Sequence, residues 1–346
     1  LVNRNFLSQL AFFASFFALC VIALGAFTRL IDAGLGCPDW PGCYGQLSVP
    51  LTELGRQVAH MKFPNTRFIA SKAWAEMIHR YFVGALSIMI LTLVTLIFTS
   101  KSLRVRSNII LALGLVLLLV YQILLGQWTV TWKLLPLVVS QHLLGGFFVL
   151  ATLWLIYLNN IPMNDYVPTT LTRKTRNFLL PFAFIALLLL VLQMCLGAWT
   201  STNYASLSCP DFPFCYNHAT ITLNFTAAFN LFSHVGVNYE GGVLPESARQ
   251  TIQMTHRLGA VVLTVYMLVF MLLVLWKLKH LPELMAAIYL VLGLLCIQLC
   301  IGISNIIFQL PLSTALSHNL FAVLLFLALI TFTFKLANTP CGDRQV

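Results

Sequence analysis

The chain has 346 residues, of which 59% are hydrophobic and only 9% charged, and its mean hydropathy is +0.88. Soluble globular domains carry about a quarter of charged residues, so this composition excludes them and requires a chain that lives in a bilayer. The net charge of +10 does not point to nucleic acid, because the basic residues sit in short loops beside apolar runs and not in one solvated patch.

Apolar runs of about 20 residues, enough to cross roughly 30 Å of hydrocarbon, fall near 7–27, 75–99, 108–129, 137–158, 178–199, 250–276, 284–306 and 314–336. They predict an all-α polytopic membrane protein with eight transmembrane helices. The first run is not a signal peptide: it is long, lacks a small-residue cleavage site, and leads into Gly25-Ala26-Phe27-Thr28-Arg29, a motif that returns later in the chain. Long loops at 28–73 and 200–249 each hold a stretch, 51–63 and 219–234, that reads as an interfacial amphipathic helix. The loops after the second, fourth and sixth runs carry Lys101, Arg104 and Arg106, then Arg173, Lys174 and Arg176, then Lys277 and Lys279. The positive-inside rule makes these loops and both termini cytoplasmic, and puts the two long loops on the outer face. The 28–73 loop also carries five basic residues, but long loops weigh little in that rule.

The chain is written twice. Gly25-Ala26-Phe27-Thr28 recurs as Gly197-Ala198-Trp199-Thr200, and Cys37-Pro38-Asp39-Trp40-Pro41-Gly42-Cys43-Tyr44 recurs as Cys209-Pro210-Asp211-Phe212-Pro213-Phe214-Cys215-Tyr216, both at an offset of 172. Glu76-Met77-Ile78-His79-Arg80 is echoed by Gln253-Met254-Thr255-His256-Arg257, and Ser140-Gln141-His142 by Leu316-Ser317-His318. Each half therefore holds four spans in the same orientation, which predicts two tandem pseudo-symmetric four-helix bundles. The expected division is an N-terminal bundle over 1–160, a cytoplasmic linker over 161–177 and a C-terminal bundle over 178–346.

Ionisable side chains within a span are costly and mark function by default. His79, His142, His256 and His318 begin the second, fourth, sixth and eighth runs at matching depth. A lone histidine there would be read as a core residue bonded to a neighbouring helix. Two per bundle, on alternate helices, make two imidazole pairs, and such a pair in an apolar bundle suits haem iron. His60, His218, His234 and His280 lie in loops and read as solvated. Arg80 and Arg257 follow two of the buried histidines; a haem propionate is one partner for them and snorkelling to the interface another. Glu76 precedes His79 by one turn, whereas the second half has neutral Gln253 there. That difference places proton chemistry in the first half and a standing haem in the second, against the plainer reading that Glu76 pairs with Arg80 or caps the helix. The spacing of Cys37–Cys43 and Cys209–Cys215, in outer loops rich in Pro, reads as two disulfides; whether the first pair also cycles between thiol and disulfide stays open. Cys20, Cys195, Cys296, Cys300 and Cys341 read as buried packing residues or incidental thiols.

The block Phe27-Thr28-Arg29-Leu30 leading into CPDWPGCYG, the EMIHR and QMTHRLGA helices, the SQH and LSHN pairs, and GVNYEGGVL at 236–244 together resemble the haem A synthases over nearly the whole chain. The resemblance implies a haem-dependent membrane oxidoreductase that converts the C8 methyl group of haem O to a formyl by successive hydroxylations. It implies a haem B cofactor on His256 and His318 beside Arg257, and substrate haem on His79 and His142 beside Arg80. It gives Glu76, Cys37 and Cys43 catalytic roles, and it implies a bacterial inner membrane. The partners that follow are haem O, membrane lipid, a haem O synthase, cytochrome oxidase assembly factors and a second copy of the chain; nucleic acid is not among them. A dihaem b-type electron carrier would use the same four histidines and is the main alternative, ahead of a haem or anion transporter and a thiol-disulfide oxidoreductase.

Overall fold

The computed structural model of the chain describes residues 4–161, 171–216, 222–232 and 234–341. Among these residues the regular structure is helical: α1 (Arg4–Leu30), α2 (Glu53–Lys62), α3 (Ala70–Thr99), α4 (Arg106–Thr131), α5 (Pro136–Asn160), α6 (Arg173–Thr202), α7 (Phe225–Ala228), α8 (Glu246–Leu278), α9 (Pro282–Ile307) and α10 (Leu312–Asn338). All but α2 and α7 are long and apolar enough to cross a membrane, and the chain is a multi-pass integral membrane protein. Large apolar side chains on the outside of these helices, such as Phe13, Phe16, Leu117, Leu272 and Trp276, are more than half exposed. In water such a surface would aggregate; in lipid it is the solvated face.

The run boundaries read from hydropathy are recovered, with extensions at the starts of α3, α6 and α8. α3 and α8 begin at Ala70 and Glu246, several residues before the expected 75 and 250, because their first turns pack under the long loops and so stay helical above the apolar slab. α6 begins at Arg173, inside the expected linker, where Thr172 caps it by accepting the Thr175 N–H at 3.2 Å; residues 162–170 of that linker lie outside the described residues. The interfacial helix expected at 51–63 is α2. The one expected at 219–234 is a single turn, α7, among the described residues. Asn224 caps that turn through the Ala227 N–H at 3.1 Å, and Trp199 Nε1 donates to the Ala228 carbonyl at 2.8 Å, so a tertiary anchor ends it.

Helix α1 packs on α3 and α5, and α4 packs on α3 and α5, which closes a ring of four; α6, α8, α9 and α10 close a second ring in the same way. Among the described residues no contact joins α3 to α5, or puts α8 against α10, so each of these pairs lies on a diagonal. The rings meet through α5 against α6, and through α10 against α1 and α5. Without water in the slab, helix association rests on close packing and hydrogen bonds. The buried stripes of α1 (Leu7, Ala11, Ala14, Ala26) and α6 (Leu179, Ala183, Ala186, Ala198) supply the small residues that let helices approach.

Polar contacts then tie the rings. Trp154 Nε1 donates to Thr331 Oγ1 at 2.8 Å, and the Ser140 and Thr202 hydroxyls lie 3.0 Å apart. At the C-terminal ends of α1 and α6, Arg29 Nη2 donates to the Ser201 carbonyl at 2.6 Å and its guanidinium lies 4.0 Å over the Tyr204 ring, while the Tyr204 hydroxyl donates to Asp32 at 2.8 Å. Burial holds the Tyr204 hydroxyl above the ordinary tyrosine range, so it keeps its proton as a donor. The second long loop also reaches the first ring: buried Tyr239 packs with Leu134, Leu135 and Val138, its N–H donates to the Lys133 carbonyl at 3.1 Å, and Glu240 lies 3.6 Å from Lys72.

Candidate functional site

The four buried histidines stand on the two diagonals, His79 on α3 opposite His142 on α5, and His256 on α8 opposite His318 on α10. Every ring lies on a glycine of a neighbouring helix. A Cβ on Gly25 of α1 would sit 2.9 Å from His79 Cε1, on Gly126 of α4 3.4 Å from His142 Cε1, on Gly197 of α6 3.2 Å from His256 Cε1, and on Gly302 of α9 3.0 Å from His318 Cε1. The missing side chains let the Cε1 edge of each imidazole come close to the neighbouring helix. Gly25 and Gly197 share the repeat offset, as do Gly126 and Gly302 with His142 and His318; that shared offset was the sequence signal for these four positions.

The residues present fit a haem. The Nδ1 atoms of His79, His142 and His318 are buried without a hydrogen-bond partner, a cost that an apolar bundle carries only for a purpose. Among the described residues no group of three or more His, Cys, Asp or Glu side chains converges into a metal cage. A metal held by one imidazole pair must therefore bring its remaining ligands with it, as haem iron does.

Above the first pair the long loop after α1 folds onto α3. Gly36 approaches so closely that a Cβ would lie 2.6 Å from the Lys72 backbone, and this brings the Cys37 N–H to Glu76 Oε2 at 2.8 Å. Cys37 and Cys43 form a disulfide whose residues are fully buried with Tyr44, Val49, Ala59, Ala73 and Met77. Burial pushes the Tyr44 hydroxyl above its ordinary range. Glu76, only 5% exposed, pairs with Arg80 through Oε1. Arg80 Nη1 also donates to the carbonyls of Asp39 at 3.0 Å, Pro41 at 3.2 Å and Gly42. One network thus joins the disulfide loop, the carboxylate and the helix turn that carries His79.

The second half repeats this clamp without the carboxylate. Arg257 Nη1 donates to the carbonyls of Asp211, Pro213 and Phe214 at 2.8, 3.1 and 3.0 Å, the same three places in the repeat. Its Nη2 donates to the Cys209 carbonyl at 2.6 Å, and Cys209 and Cys215 form the second disulfide. Gln253 is buried at the place of Glu76, with its Oε1 unpartnered. Arg80 Nη1 and both terminal nitrogens of Arg257 therefore donate into the disulfide loops, where sequence reasoning offered a propionate or the interface. The other expected positions separate cleanly. His60 ends α2, His234 lends its carbonyl to the Tyr239 hydroxyl at 2.8 Å, His280 follows α8, and His218 lies outside the described residues. Cys296 and Cys300 are exposed on α9, which places them with the incidental thiols and not with the buried packing residues.

Eight membrane helices carrying two diagonal imidazole pairs define a polytopic membrane protein of the paired-histidine, helical-bundle class. The chain belongs to the COX15-CtaA family, Cytochrome oxidase assembly protein, which matches residues 8–330. It is similar to a protein named Heme A synthase from Shewanella oneidensis, with 41% identity over 330 residues that cover 95% of this chain and 96% of the relative. Relatives of the same name from Bacillus pumilus (98% of each chain) and Bacillus cereus (94% of this chain, 92% of the relative) are each 25% identical to it.

Proposed function

We propose that this chain is a haem A synthase, a membrane oxidoreductase that takes haem O and oxidises its C8 methyl group to a formyl. The observation that carries the reading is the asymmetry between two matching imidazole pairs: only the first has a buried carboxylate, Glu76, bonded to the disulfide loop and to Arg80. The relatives named Heme A synthase support it at nearly full length.

In this reading the chain is two pseudo-symmetric bundles joined near 161–177, with the N-terminal one taking substrate and the C-terminal one keeping a cofactor. His79 and His142 hold the substrate haem, and His256 and His318 hold haem B. Haem B supplies one-electron redox chemistry when bound. The protein's own part is orientation and proton handling. The glycines under each ring fix the imidazole planes, and the apolar ring of helices excludes water. Glu76 Oε2 is positioned to take or return a proton at the rim of the first site, with Arg80 and the Cys37 N–H setting its orientation. Arg80 and Arg257 hold the two disulfide loops over the sites. Turning a methyl into a formyl with oxygen from water releases four protons and two electron pairs, so an electron acceptor must take up both pairs to complete the cycle.

In this reading the membrane is a bacterial inner membrane, and the basic loops favour both termini on the cytoplasmic side and the cysteine loops on the outer face. A haem O synthase supplies the substrate, and cytochrome oxidase assembly factors receive the product. The test is conversion: purified chain loaded with haem O and given an electron acceptor is expected to yield haem A, and haem O recovered unchanged would refute the proposal.

A further inference from the structure

The stretch Gly-Val-Asn-Tyr-Glu-Gly-Gly-Val-Leu at 236–244 belongs to the second half by its place in the chain, yet its centre lies on the first ring. It is built as a tight turn. Asn238 Oδ1 accepts the Glu240 N–H at 3.0 Å, and the Gly242 N–H donates to the Tyr239 carbonyl at 3.1 Å. Gly241 and Gly242 stand at φ +81° and +84°, a region that residues with a Cβ seldom adopt. A Cβ on Gly242 would also meet the Asn203 carbonyl oxygen at 3.2 Å, so the turn is seated on the end of α6 and carries Tyr239 and Glu240 to the first ring.

Tyr239 grips the turn between α4 and α5. Its N–H donates to the Lys133 carbonyl at 3.1 Å, its ring is buried against Leu134, Leu135 and Val138, and its hydroxyl donates to the His234 carbonyl at 2.8 Å. Val138 lies one helical turn before His142 on α5. Two further second-half contacts hold the same stretch: Leu137 packs on the cluster of Trp199, Ala228 and Ile252, and the Ser140 hydroxyl bonds that of Thr202. Glu240 reaches instead to Lys72 on α3 at 3.6 Å, one turn before Glu76 and two before His79. Among the described residues α3 and α5 do not touch, so Tyr239 and Glu240 together join the approaches to two opposed imidazoles.

The second ring has a different surface at the matching turn. Between α9 and α10, Phe308 and Leu312 take the places of Trp132 and Pro136 and are exposed, and Leu316 replaces Ser140. Among the described residues no backbone N–H of either long loop bonds the carbonyl of Gln309, the mate of Lys133. This difference is one of side-chain identity and burial.

We infer that Tyr239 and Glu240 are positioning residues supplied by the second half, a crossbar that holds α3 against α5 and so sets the spacing of His79 and His142. The inference rests on the proposed placing of the substrate haem at that pair. Two opposed imidazoles can share one haem only at a fixed separation, and a constraint applied from the helix ends leaves the interior of the ring to the ligand.

The test uses the full-length protein in detergent, loaded with haem B and haem O, and follows the transfer of each haem to apomyoglobin, the two being separated by chromatography. A partly exposed ion pair is worth up to about fivefold, and reversing one partner replaces attraction by repulsion. Glu240→Lys and Lys72→Glu are therefore each expected to speed haem O loss about 3–10-fold. The double exchange restores the attraction and is expected to bring haem O loss back to within about twofold of the parent. Tyr239→Ala removes the ring from Val138 and is expected to speed haem O loss about tenfold or more, whereas Tyr239→Phe keeps the ring and stays near the parent. Haem B loss is expected to stay unchanged throughout, which a general loosening of the protein would not allow. Unchanged haem O loss in both charge reversals, a double exchange that fails to restore it, or an equal rise for haem B would overturn the inference and leave the proposed function standing. A parent chain that takes up haem B but no haem O would overturn the proposed function and the inference with it. Should Tyr239→Ala fail to fold, the two reversals and their double exchange decide alone.

Discussion

Replacing Glu76 by glutamine separates chemistry from folding. In the native chain its carboxylate accepts the Cys37 N–H at 2.8 Å and pairs with Arg80, and both side chains are nearly inaccessible. Removing one partner of a buried ion pair outright costs about 3–5 kcal/mol, because the other charge is stranded. Glutamine strands nothing here. It keeps an acceptor for Cys37, and Arg80 keeps the carbonyls of Asp39, Pro41 and Gly42, the same set that holds Arg257 opposite Gln253. The expected loss is that of exchanging charge-assisted for neutral hydrogen bonds, about 1–2 kcal/mol, and the variant folds and keeps its haem. Proton transfer by a positioned group contributes about 10²–10⁴-fold, so haem A formation falls by that much. The assay extracts pigment from variant and parent and separates haem O from haem A by chromatography, with a thermal melt run alongside. Undiminished haem A output from a folded, haem-loaded Glu76→Gln chain would refute the role.

Gly25→Ala and Gly302→Ala place a Cβ 2.9 and 3.0 Å from the imidazoles of His79 and His318, an overpacking of about 1–3 kcal/mol; each is expected to shift the haem absorption of its own half. Alanine at Gly84, Gly114 or Gly293 meets nothing within 4 Å and is expected to leave the spectra unchanged. Converting Cys209 and Cys215 to serine removes a short closed loop, worth about 2 kcal/mol by chain entropy, and lowers the melting temperature while haem A formation persists. The same change at Cys37 and Cys43 also frees the N–H that orients Glu76 and is expected to reduce haem A formation. The Tyr204 hydroxyl is raised above 10 by burial, so its bond to Asp32 contributes fully below the unfolded tyrosine value and fades as pH rises through the folded one. The stability difference between the parent and Tyr204→Phe is thus expected to be flat from about pH 6 to 9 and to shrink only above about 10, as read by thermal melts across pH.

Hydropathy made the spans legible, because a bilayer demands about 20 apolar residues whatever the tertiary contacts. The repeat made the site residues legible as a set: the histidines, Glu76 against Gln253, and the cysteine pairs all stand out once the halves are aligned. What was not legible depends on how the helices are rotated and how the loops fold back. The glycine beneath each imidazole shares the repeat offset, but that it receives a ring shows only once a neighbouring helix is placed beside it. Arg80 and Arg257 were read from their charge, yet the cis Trp40-Pro41 and Phe212-Pro213 loops aim carbonyls at them, a convergence that no residue spacing announces. The α7 segment was misread as a long interfacial helix because amphipathic pattern alone does not reveal that Trp199 anchors it after one turn.

The most direct test of the central claim is to extract the pigment from the purified protein and identify each haem by chromatography and mass. Haem B together with haem O, a hydroxylated form or haem A is the expected result, since the two imidazole pairs are proposed to hold different haems. Haem B alone at both pairs would contradict it and make the chain an electron carrier, and a protein that carries no haem would contradict both.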